Sequence, residues 1–204
     1  MNLQSFTNSF HHSTTYTIEL APNNWVVVDP GWMPHQLEQW MNETQAVINA
    51  IFLTHEHADH CAGVNRLVAQ TQAPLFCTAD CKTGIANSKH NFSAYIDEVA
   101  TFEIKTPCTV VNDGEKVKLG EYDFTFISTP GHSPGSTCIQ FSNYLLTGDT
   151  LMPHAKTPLN FPRSNRAAYK ESINKLKNYI ARGIHILPGH GEAFGFESWE
   201  QLSI

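Results

Sequence analysis

A buried-strand pattern that runs directly into a cluster of metal-binding side chains is the feature that most constrains this chain. Residues 51–60 read IFLTHEHADH, in which three histidines, a glutamate and an aspartate follow an apolar run within six residues. Residues 47–54 are nearly continuously apolar, which predicts a strand covered on both faces. The polar cluster then lies in a loop at the end of that strand, where active sites tend to gather. Either this loop is simply solvated, or other segments supply further ligands for a metal.

Three glycine-containing motifs supply such ligands, each directly after a predicted strand. They are STPGHSPGS, LLTGDTL and ILPGHGE, and glycine beside the ligand lets the backbone turn sharply and approach a site closely. With the first cluster, the candidate ligands are His55, His57, Asp59, His60, His132, Asp149 and His190. Five histidines and two aspartates exceed the needs of one tetrahedral zinc ion and suit two divalent ions that share a carboxylate. Nitrogen and oxygen donors favour Zn²⁺, and Fe or Mn is also chemically acceptable.

Composition excludes several other classes of protein. The formal net charge of −6, without a basic stripe, is unlike that of a nucleic-acid-binding protein. No run approaches the roughly 18 apolar residues of a membrane span, and the polar start MNLQSFTNSFHHSTT lacks the apolar segment of a signal peptide. The five cysteines are odd in number and form no CxxC pair, which argues against a disulfide framework. These patterns predict a cytoplasmic protein that acts on a small molecule and binds neither nucleic acid nor membrane.

The order of predicted elements indicates an α/β protein. Strands are predicted at 14–20, around 25–28, at 47–54 and in the short segment PLFCT. Further strands are predicted within 109–130, separated by turns at 112–114 and at Gly120, in a pair within 136–149, and before the second PGH motif. Helices are predicted at 34–43, in GVNRLVAQT and ADCKTGIAN, and at 165–181, while 86–106 is irregular apart from a short helix. Neither a repeat nor a linker interrupts the pattern, so we expect a single domain over residues 1–204.

The motifs HEHADH, PGHSPGS, TGDT and PGHG, in this order, resemble those of the metallo-β-lactamase-fold hydrolases, and within them the hydroxyacylglutathione hydrolase (glyoxalase II)-like subgroup. The likeness extends over roughly residues 14–192. It implies a four-layer αβ/βα sandwich, with two central sheets, helices outside and metals at one edge. It also implies that His55, His57 and His132 hold one metal, that Asp59, His60 and His190 hold a second, and that Asp149 bridges them. Asp29, in VVVDPG, would orient a ligand from behind.

The activity that this resemblance implies is hydrolysis of a small ester, above all a thioester, by a metal-bound hydroxide. Asp59 would orient the nucleophile or carry its proton. The alternatives are a mononuclear-iron persulfide dioxygenase, an N-acyl lactone or β-lactam hydrolase, and a metal-binding protein without turnover. The chain ends about a dozen residues after PGHG, where glyoxalase II enzymes continue into a helical segment that holds glutathione, so a glutathione thioester is not the expected substrate. Cys61, beside a ligand, is either a packed thiol or a sensitive one.

The substrate pocket has weaker sequence signals. The loop PHAKTPLNFPRSN follows Asp149, and its residues His154, Phe161 and Arg163 are candidate substrate contacts. The segment 82–96, with Phe92 and Tyr95, is a second candidate wall.

Overall fold

The computed structural model describes residues 2–153, 156–180 and 183–195, and within them two six-stranded sheets form the centre of the molecule. The first sheet has the order β1-β2-β3-β4-β5-β6. Its strands are β1 (Leu3–Thr7), β2 (Thr14–Ala21), β3 (Asn24–Val28), β4 (Val47–Phe52), β5 (Leu75–Cys77) and β6 (Cys108–Val110). Strands β1 to β3 are antiparallel neighbours, and β3 to β6 run parallel.

The second sheet has the order β12-β11-β10-β9-β8-β7. Its strands are β7 (Lys116–Leu119), β8 (Tyr122–Ser128), β9 (Thr137–Phe141), β10 (Tyr144–Gly148), β11 (His185–Pro188) and β12 (Phe194–Gly195). All neighbours are antiparallel except β10 and β11, so β8, β10 and β11 point the same way.

Helices cover the outer face of each sheet. They are α1 (His35–Thr44), α2 (Ala58–Cys61), α3 (Val64–Thr71), α4 (Ala79–Ile85) and α5 (Arg166–Leu176), with a short 3₁₀ helix at Ser93–Tyr95. Helix α5 begins at an Asn165 cap, whose side-chain oxygen accepts hydrogen bonds from two backbone N–H groups of the first turn. None of the helices in the described ranges is long and apolar enough to cross a bilayer.

Three apolar clusters hold the layers together. Between the sheets, Phe52 of β4 packs against Phe124 and Phe126 of β8, with ring centroids 5.1 and 5.2 Å apart. A second cluster joins the first sheet to α1, α3 and α4, and a third joins the second sheet to α5. The four-layer αβ/βα sandwich is therefore confirmed, and the continuous apolar run of β4 is explained by burial on both faces.

The structure departs from the sequence-based expectations in two places. Strand β1 was not predicted, and it pairs along its length with the outer edge of β2. The helix predicted at 165–181 ends at Leu176, because the next backbone N–H groups bond three residues back and tighten the chain into turns. The end of that predicted helix, from residue 181, lies outside the described residues.

Candidate metal centre

The candidate ligands meet at the edge where the parallel strands of both sheets end. Asp29 follows β3, and His55 follows β4 after a two-residue extension. In the second sheet, the ends of β8, β10 and β11 lead to the loop of His132, to Asp149 and to the loop of His190. The helix α2 contains Asp59 and His60. All seven sequence-predicted ligands therefore converge on one edge of the sandwich, and both sheets contribute to the site.

Asp29 lies behind this edge and connects it to the first sheet. Its residue is 3% exposed and its backbone φ is +49°, a left-handed conformation that aspartate tolerates better than most residues. One carboxylate oxygen, Oδ1, accepts from the backbone N–H of Thr54 at 2.8 Å. The other, Oδ2, accepts from the Thr54 hydroxyl at 2.6 Å and from His60 Nδ1 at 2.9 Å. The direct contact between Asp29 and His60 agrees with the expectation that Asp29 orients a ligand.

The first group of donors, which we call the three-histidine set, consists of His55, His57 and His132. All three are buried, and their donor atoms lie within 4.8 Å of one another. His57 Nδ1 and His132 Nε2 are 3.0 Å apart. The other ring nitrogen of His132 donates to the carbonyl of Pro158 at 2.9 Å, which leaves Nε2 free to bind an ion.

The second group, which we call the mixed set, consists of Asp59, His60 and His190. Its donor atoms also lie within 4.8 Å of one another. Asp59 Oδ2 is 3.2 Å from His190 Nε2 and 3.6 Å from His60 Nε2, and the two imidazole nitrogens are 3.4 Å apart. His60 is fully buried, whereas Asp59 and His190 are partly exposed.

Asp149 stands between the two sets. Its Oδ2 lies 3.4 Å from His132 Nε2 and 3.5 Å from His190 Nε2, and its Oδ1 lies 3.4 Å from His60 Nε2. One carboxylate therefore faces a nitrogen of the three-histidine set and two of the mixed set. A carboxylate in this position can be shared by two ions.

The arrangement fits divalent metal ions by its spacing and by its unpaired donors. Zn–N bonds of about 2.0–2.1 Å in a tetrahedral site put nitrogen atoms about 3.3 Å apart, close to the separations found here. His55 Nε2 is buried and has no hydrogen-bond partner among the described residues. The Thr54 hydroxyl donates to Asp29, so it accepts from His55 Nδ1 at 3.1 Å and leaves the lone pair on Nε2. A buried nitrogen held as an unused acceptor is costly unless a cation occupies the space in front of it.

The two sets differ in protonation before any metal binds. Burial, together with the neighbouring histidines, lowers the pKa of His57 to about 3 and that of His55 well below its usual range. Burial also disfavours the charged form of His60 and His190, but carboxylates outweigh it. Asp59 and Asp149 raise the pKa of His60 well above its ordinary value, and they raise that of His190 to about 9. At neutral pH an ion entering the mixed set must displace protons, whereas His55 and His57 are already neutral imidazoles.

Glu56 separates the first two histidines, and its side chain binds residues other than the candidate metal ligands. Its carboxylate is 1% exposed, accepts from the Ser133 hydroxyl at 2.8 Å and lies 3.3 Å from Arg163 Nη1. Burial raises the pKa of Glu56, and the Ser133 and Arg163 contacts oppose that rise. Glu56 thus joins three segments around the site: the HEHADH loop, the PGHSPGS loop and the loop before α5. Cys61 is a packed thiol that donates to the Glu56 carbonyl at 3.2 Å, and burial raises its pKa well above the ordinary value.

A cavity of about 770 Å³ opens directly onto the candidate ligands. Its lining includes the candidate ligands His57, Asp59, Asp149 and His190. The rest of the lining is His11, Ala58, Phe92, Tyr95, Ile96, Met152, Pro158, Phe161 and Pro162. Of the predicted substrate contacts, Phe161 lines this cavity. Arg163 is instead held at Glu56, so its predicted contact with substrate stays untested, and His154 lies outside the described residues.

Three residues of the site had no role in the sequence-based interpretation. Thr54 connects Asp29 to His55, and Glu56 connects the loops. His11 enters the cavity lining because the N-terminal segment passes close to the second PGH motif, where Ser13 bridges to His190. Thr54 directly precedes the HEHADH motif and Glu56 lies within it, which is the signal that could have suggested them. The pattern around His11 contains no such signal.

Comparison with known proteins agrees with this geometry. The model of the Metallo-beta-lactamase superfamily matches residues 9–190. A probable polyketide biosynthesis zinc-dependent hydrolase, PksB of Bacillus subtilis (strain 168), is 26% identical over 176 residues, which are 86% of this chain and 71% of that protein. A hydroxyacylglutathione hydrolase of Klebsiella pneumoniae subsp. pneumoniae is 32% identical over 138 residues. That match covers 67% of this chain and 47% of the relative, so the chain corresponds to about half of that enzyme.

Solved structures show the same fold. The BLEG-1 B3 metallo-beta-lactamase superposes with a TM-score of 0.85 at 21% identity, covering 95% of this chain and 94% of that one. TTHA1623 in a di-iron-bound form superposes with a TM-score of 0.81 at 23% identity, covering 94% of both chains. At these identities the likeness establishes the fold alone.

Proposed function

Because this chain belongs to the metallo-β-lactamase superfamily, we propose that it is a metal-dependent hydrolase that cleaves a small thioester at a centre of two zinc ions. The observation that carries the proposal is the position of Asp149 between two complete sets of three donors. A single ion would leave one set unused. Two ions sharing Asp149 account for all seven side chains.

In this proposal the three-histidine set holds one ion, the mixed set holds the second, and Asp149 bridges them. Two zinc ions in such a site supply a water of lowered pKa as nucleophile and a Lewis acid for the carbonyl oxygen. The protein holds His132 through the Pro158 carbonyl and His60 through Asp29, so that each ring presents a lone pair to the site. Iron, as in the di-iron form of TTHA1623, is the alternative metal.

Asp59 is the proposed catalytic residue among the ligands. Burial acts to raise its pKa, but His60 and His190 outweigh that effect and lower it, so Asp59 is a carboxylate at neutral pH. It lies in the wall of the cavity, where it can accept a hydrogen bond from the attacking water and fix that water's direction. A carboxylate that takes up the proton of the attacking water and returns it to the departing thiolate would balance thioester hydrolysis.

The substrate class rests on the names of the relatives and on the cavity. PksB is named a zinc-dependent hydrolase and the Klebsiella relative a hydroxyacylglutathione hydrolase, which supports hydrolysis of an acyl derivative. The 770 Å³ cavity has the size of a small-molecule site. The proposed partner is therefore a small-molecule substrate. This chain matches about half of the hydroxyacylglutathione hydrolase, and the proposal specifies a thioester without naming its thiol.

The test combines metal analysis with two assays on one preparation. Protein purified without chelator should contain about two zinc ions per chain, hydrolyse a thioester and consume no oxygen in the presence of a persulfide. Asp59→Asn should lose thioester hydrolysis by about 100-fold or more. The matched control, Asp123→Asn at an exposed position of β8, should retain it. One iron per chain with oxygen uptake on a persulfide would replace this proposal with a dioxygenase.

A further inference from the structure

We propose that the cavity beside the metal centre selects substrates whose acyl group is uncharged and apolar, such as a medium-length alkyl or an aryl group, and excludes acyl groups that end in a carboxylate. The inference rests on the proposed function and deepens it. It is carried by the walls of the cavity, whose residues are not metal ligands.

An aromatic wall begins at a proposed metal ligand and continues outward. The ring of His57 lies 4.8 Å from that of Phe92 and 5.3 Å from that of Phe161, and these two phenylalanine rings are 5.3 Å apart. Tyr95 extends the wall, with its ring 6.3 Å from Phe92. Ile96 lies in the lining beside it. An acyl chain whose carbonyl reaches the metal centre would pass along these apolar surfaces.

The wall is held in place before a substrate arrives. Phe92 has a left-handed backbone, with φ +68°. The preceding Asn91 is fully buried, and its side chain donates to the Phe102 carbonyl at 3.1 Å and accepts from the Ser93 N–H at 2.8 Å. The Asn91 carbonyl accepts from the N–H of Ala58, which lies beside the ligand His57. The position of Phe92 is thus coupled to the metal-binding loop.

The opposite part of the wall is also tied to that loop. Phe161 lies two residues before Arg163, whose guanidinium contacts the buried Glu56. The Phe161 carbonyl accepts from the N–H of Ser164 at 3.0 Å, which closes a turn. Ser164 in turn donates its hydroxyl to the His132 carbonyl at 2.7 Å. A preorganised apolar wall of this kind binds a ligand without the entropic cost of ordering its side chains.

Away from the proposed metals, the described part of the cavity lining offers a carboxylate only the imidazole of His11 and the hydroxyl of Tyr95 as hydrogen-bond donors. In the described part of the chain, no lysine or arginine lines the cavity. Arg163, the nearest candidate in sequence, is engaged by Glu56. A carboxylate placed along the wall would lose hydration and face the negative faces of aromatic rings without a counter-ion.

Two further segments contribute to the lining of the cavity, which stays open to solvent beside Tyr95. His11 comes from the N-terminal segment, and Met152 and Pro158 come from the loop after β10. A concave site lined from several segments suits an acyl group better than a flat contact with another protein.

The experiment compares acetyl, hexanoyl and glutaryl thioesters of one thiol on the metal-loaded protein. Hexanoyl and glutaryl groups have similar length and differ in the terminal carboxylate. We expect each added methylene to raise kcat/KM by about two- to fourfold. We expect hexanoyl to exceed glutaryl by at least about tenfold. Equal or faster turnover of glutaryl would overturn the inference.

A charge placed in the wall provides a second test. Ile96→Lys adds a cation to the lining and should lower the hexanoyl-to-glutaryl ratio of kcat/KM by about tenfold. The matched control is Val47→Lys, which makes the same kind of change at an exposed residue that does not line this cavity. A ratio that stays constant in Ile96→Lys, or that falls equally in both variants, would refute the role of the wall.

A binding measurement separates this inference from the proposed function. Hexanamide and glutaramate, the corresponding amides, are titrated into the metal-loaded protein by calorimetry. Tighter binding of hexanamide by about tenfold supports the apolar cavity even if no thioester is hydrolysed, in which case the proposed reaction alone fails. Equal or tighter binding of glutaramate overturns the inference whatever the activity.

Discussion

Replacing Asp29 by asparagine should weaken the binding of both metal ions, although Asp29 is expected to bind neither. Its Oδ2 accepts from His60 Nδ1 directly and from the Thr54 hydroxyl, which in turn accepts from His55 Nδ1. In Asp29→Asn the acceptor oxygen Oδ2 becomes an NH₂ donor. His60 then has to accept at Nδ1 and carry its proton on Nε2, the atom that faces the mixed set. If the Thr54 hydroxyl turned to donate to His55 Nδ1, His55 would likewise carry its proton on Nε2.

The expected magnitude follows from the number of ligands affected. Loss of a group that orients a metal-bound histidine typically costs about 10- to 100-fold in affinity, or about 1.4–2.7 kcal/mol. One ligand is affected in each set, so the affinity for each of the two ions should fall by about that factor. The fold should persist, because asparagine adopts a positive φ readily and its oxygen can keep the bond to the Thr54 N–H.

The assay is competition for Zn²⁺ against a chromophoric chelator at constant pH. Thr54→Val makes a sharper comparison, because it interrupts the path to His55 and leaves the bond between Asp29 and His60. Thr54→Val should therefore weaken the binding of the ion in the three-histidine set and leave the binding of the ion in the mixed set unchanged. Thermal unfolding of the metal-free variants shows whether they fold. If folded Asp29→Asn binds both ions within threefold of the unchanged protein, the tautomer argument is refuted.

Two further predictions concern the mixed set and its surroundings. Raising the pH from 6 to 9 should strengthen binding at the mixed set more steeply than at the three-histidine set. The reason is that, despite burial, neighbouring carboxylates raise the pKa of His190 to about 9 and that of His60 well above its usual range, so bound protons compete with the ion until the pH rises. Stepwise calorimetric titration measures both slopes, and equal slopes would contradict the assignment. Gly189→Ala places a Cβ against Asp149 Oδ1 and 2.7 Å from His60 Cε1, and should reduce the zinc content measured by elemental analysis from about two toward one per chain. Gly195→Ala, where a Cβ meets nothing within 4 Å, should leave the zinc content unchanged. Two zinc ions per chain in both variants would refute the idea that Gly189 is needed for the close approach of the backbone to Asp149 and His60.

The sequence was sufficient to predict the fold class and to identify the candidate ligands because both depend on local sequence patterns. The apolar run of β4 and the glycine motifs after β8, β10 and β11 place each ligand at a strand end. Strands of one sheet that run the same way end at a common edge, so the candidate ligands of the second sheet converge. Those after β4 join them because the two sheets pack face to face. Membership of the superfamily and the four-layer sandwich are confirmed. The assignment of each side chain to a metal stays a prediction.

What the sequence did not predict depends on contacts between distant segments. Arg163 reads as a free cation after the site, yet a buried Glu56, 107 residues earlier, holds its guanidinium. Phe92 and Phe161 lie far apart in the chain and face each other only in the folded protein. Strand β1 is short, and it forms because β2 offers an edge of unpaired backbone groups and because Leu3 and Phe6 pack against the core. In each case the partner, rather than the residue itself, decides the outcome.

The division of the site between the two sheets has a consequence for folding. The segments after the first sheet provide His55 and His57, and the loops of the second sheet provide His132 and Asp149. Neither proposed ion can be held until the apolar layer between the sheets has formed and brought their edges together. Because ions that bind only the native state stabilise it by mass action, metal binding reinforces the packing of one sheet on the other. The buried, unpaired Nε2 of His55 is then a cost that the metal-free protein bears and that a bound ion removes.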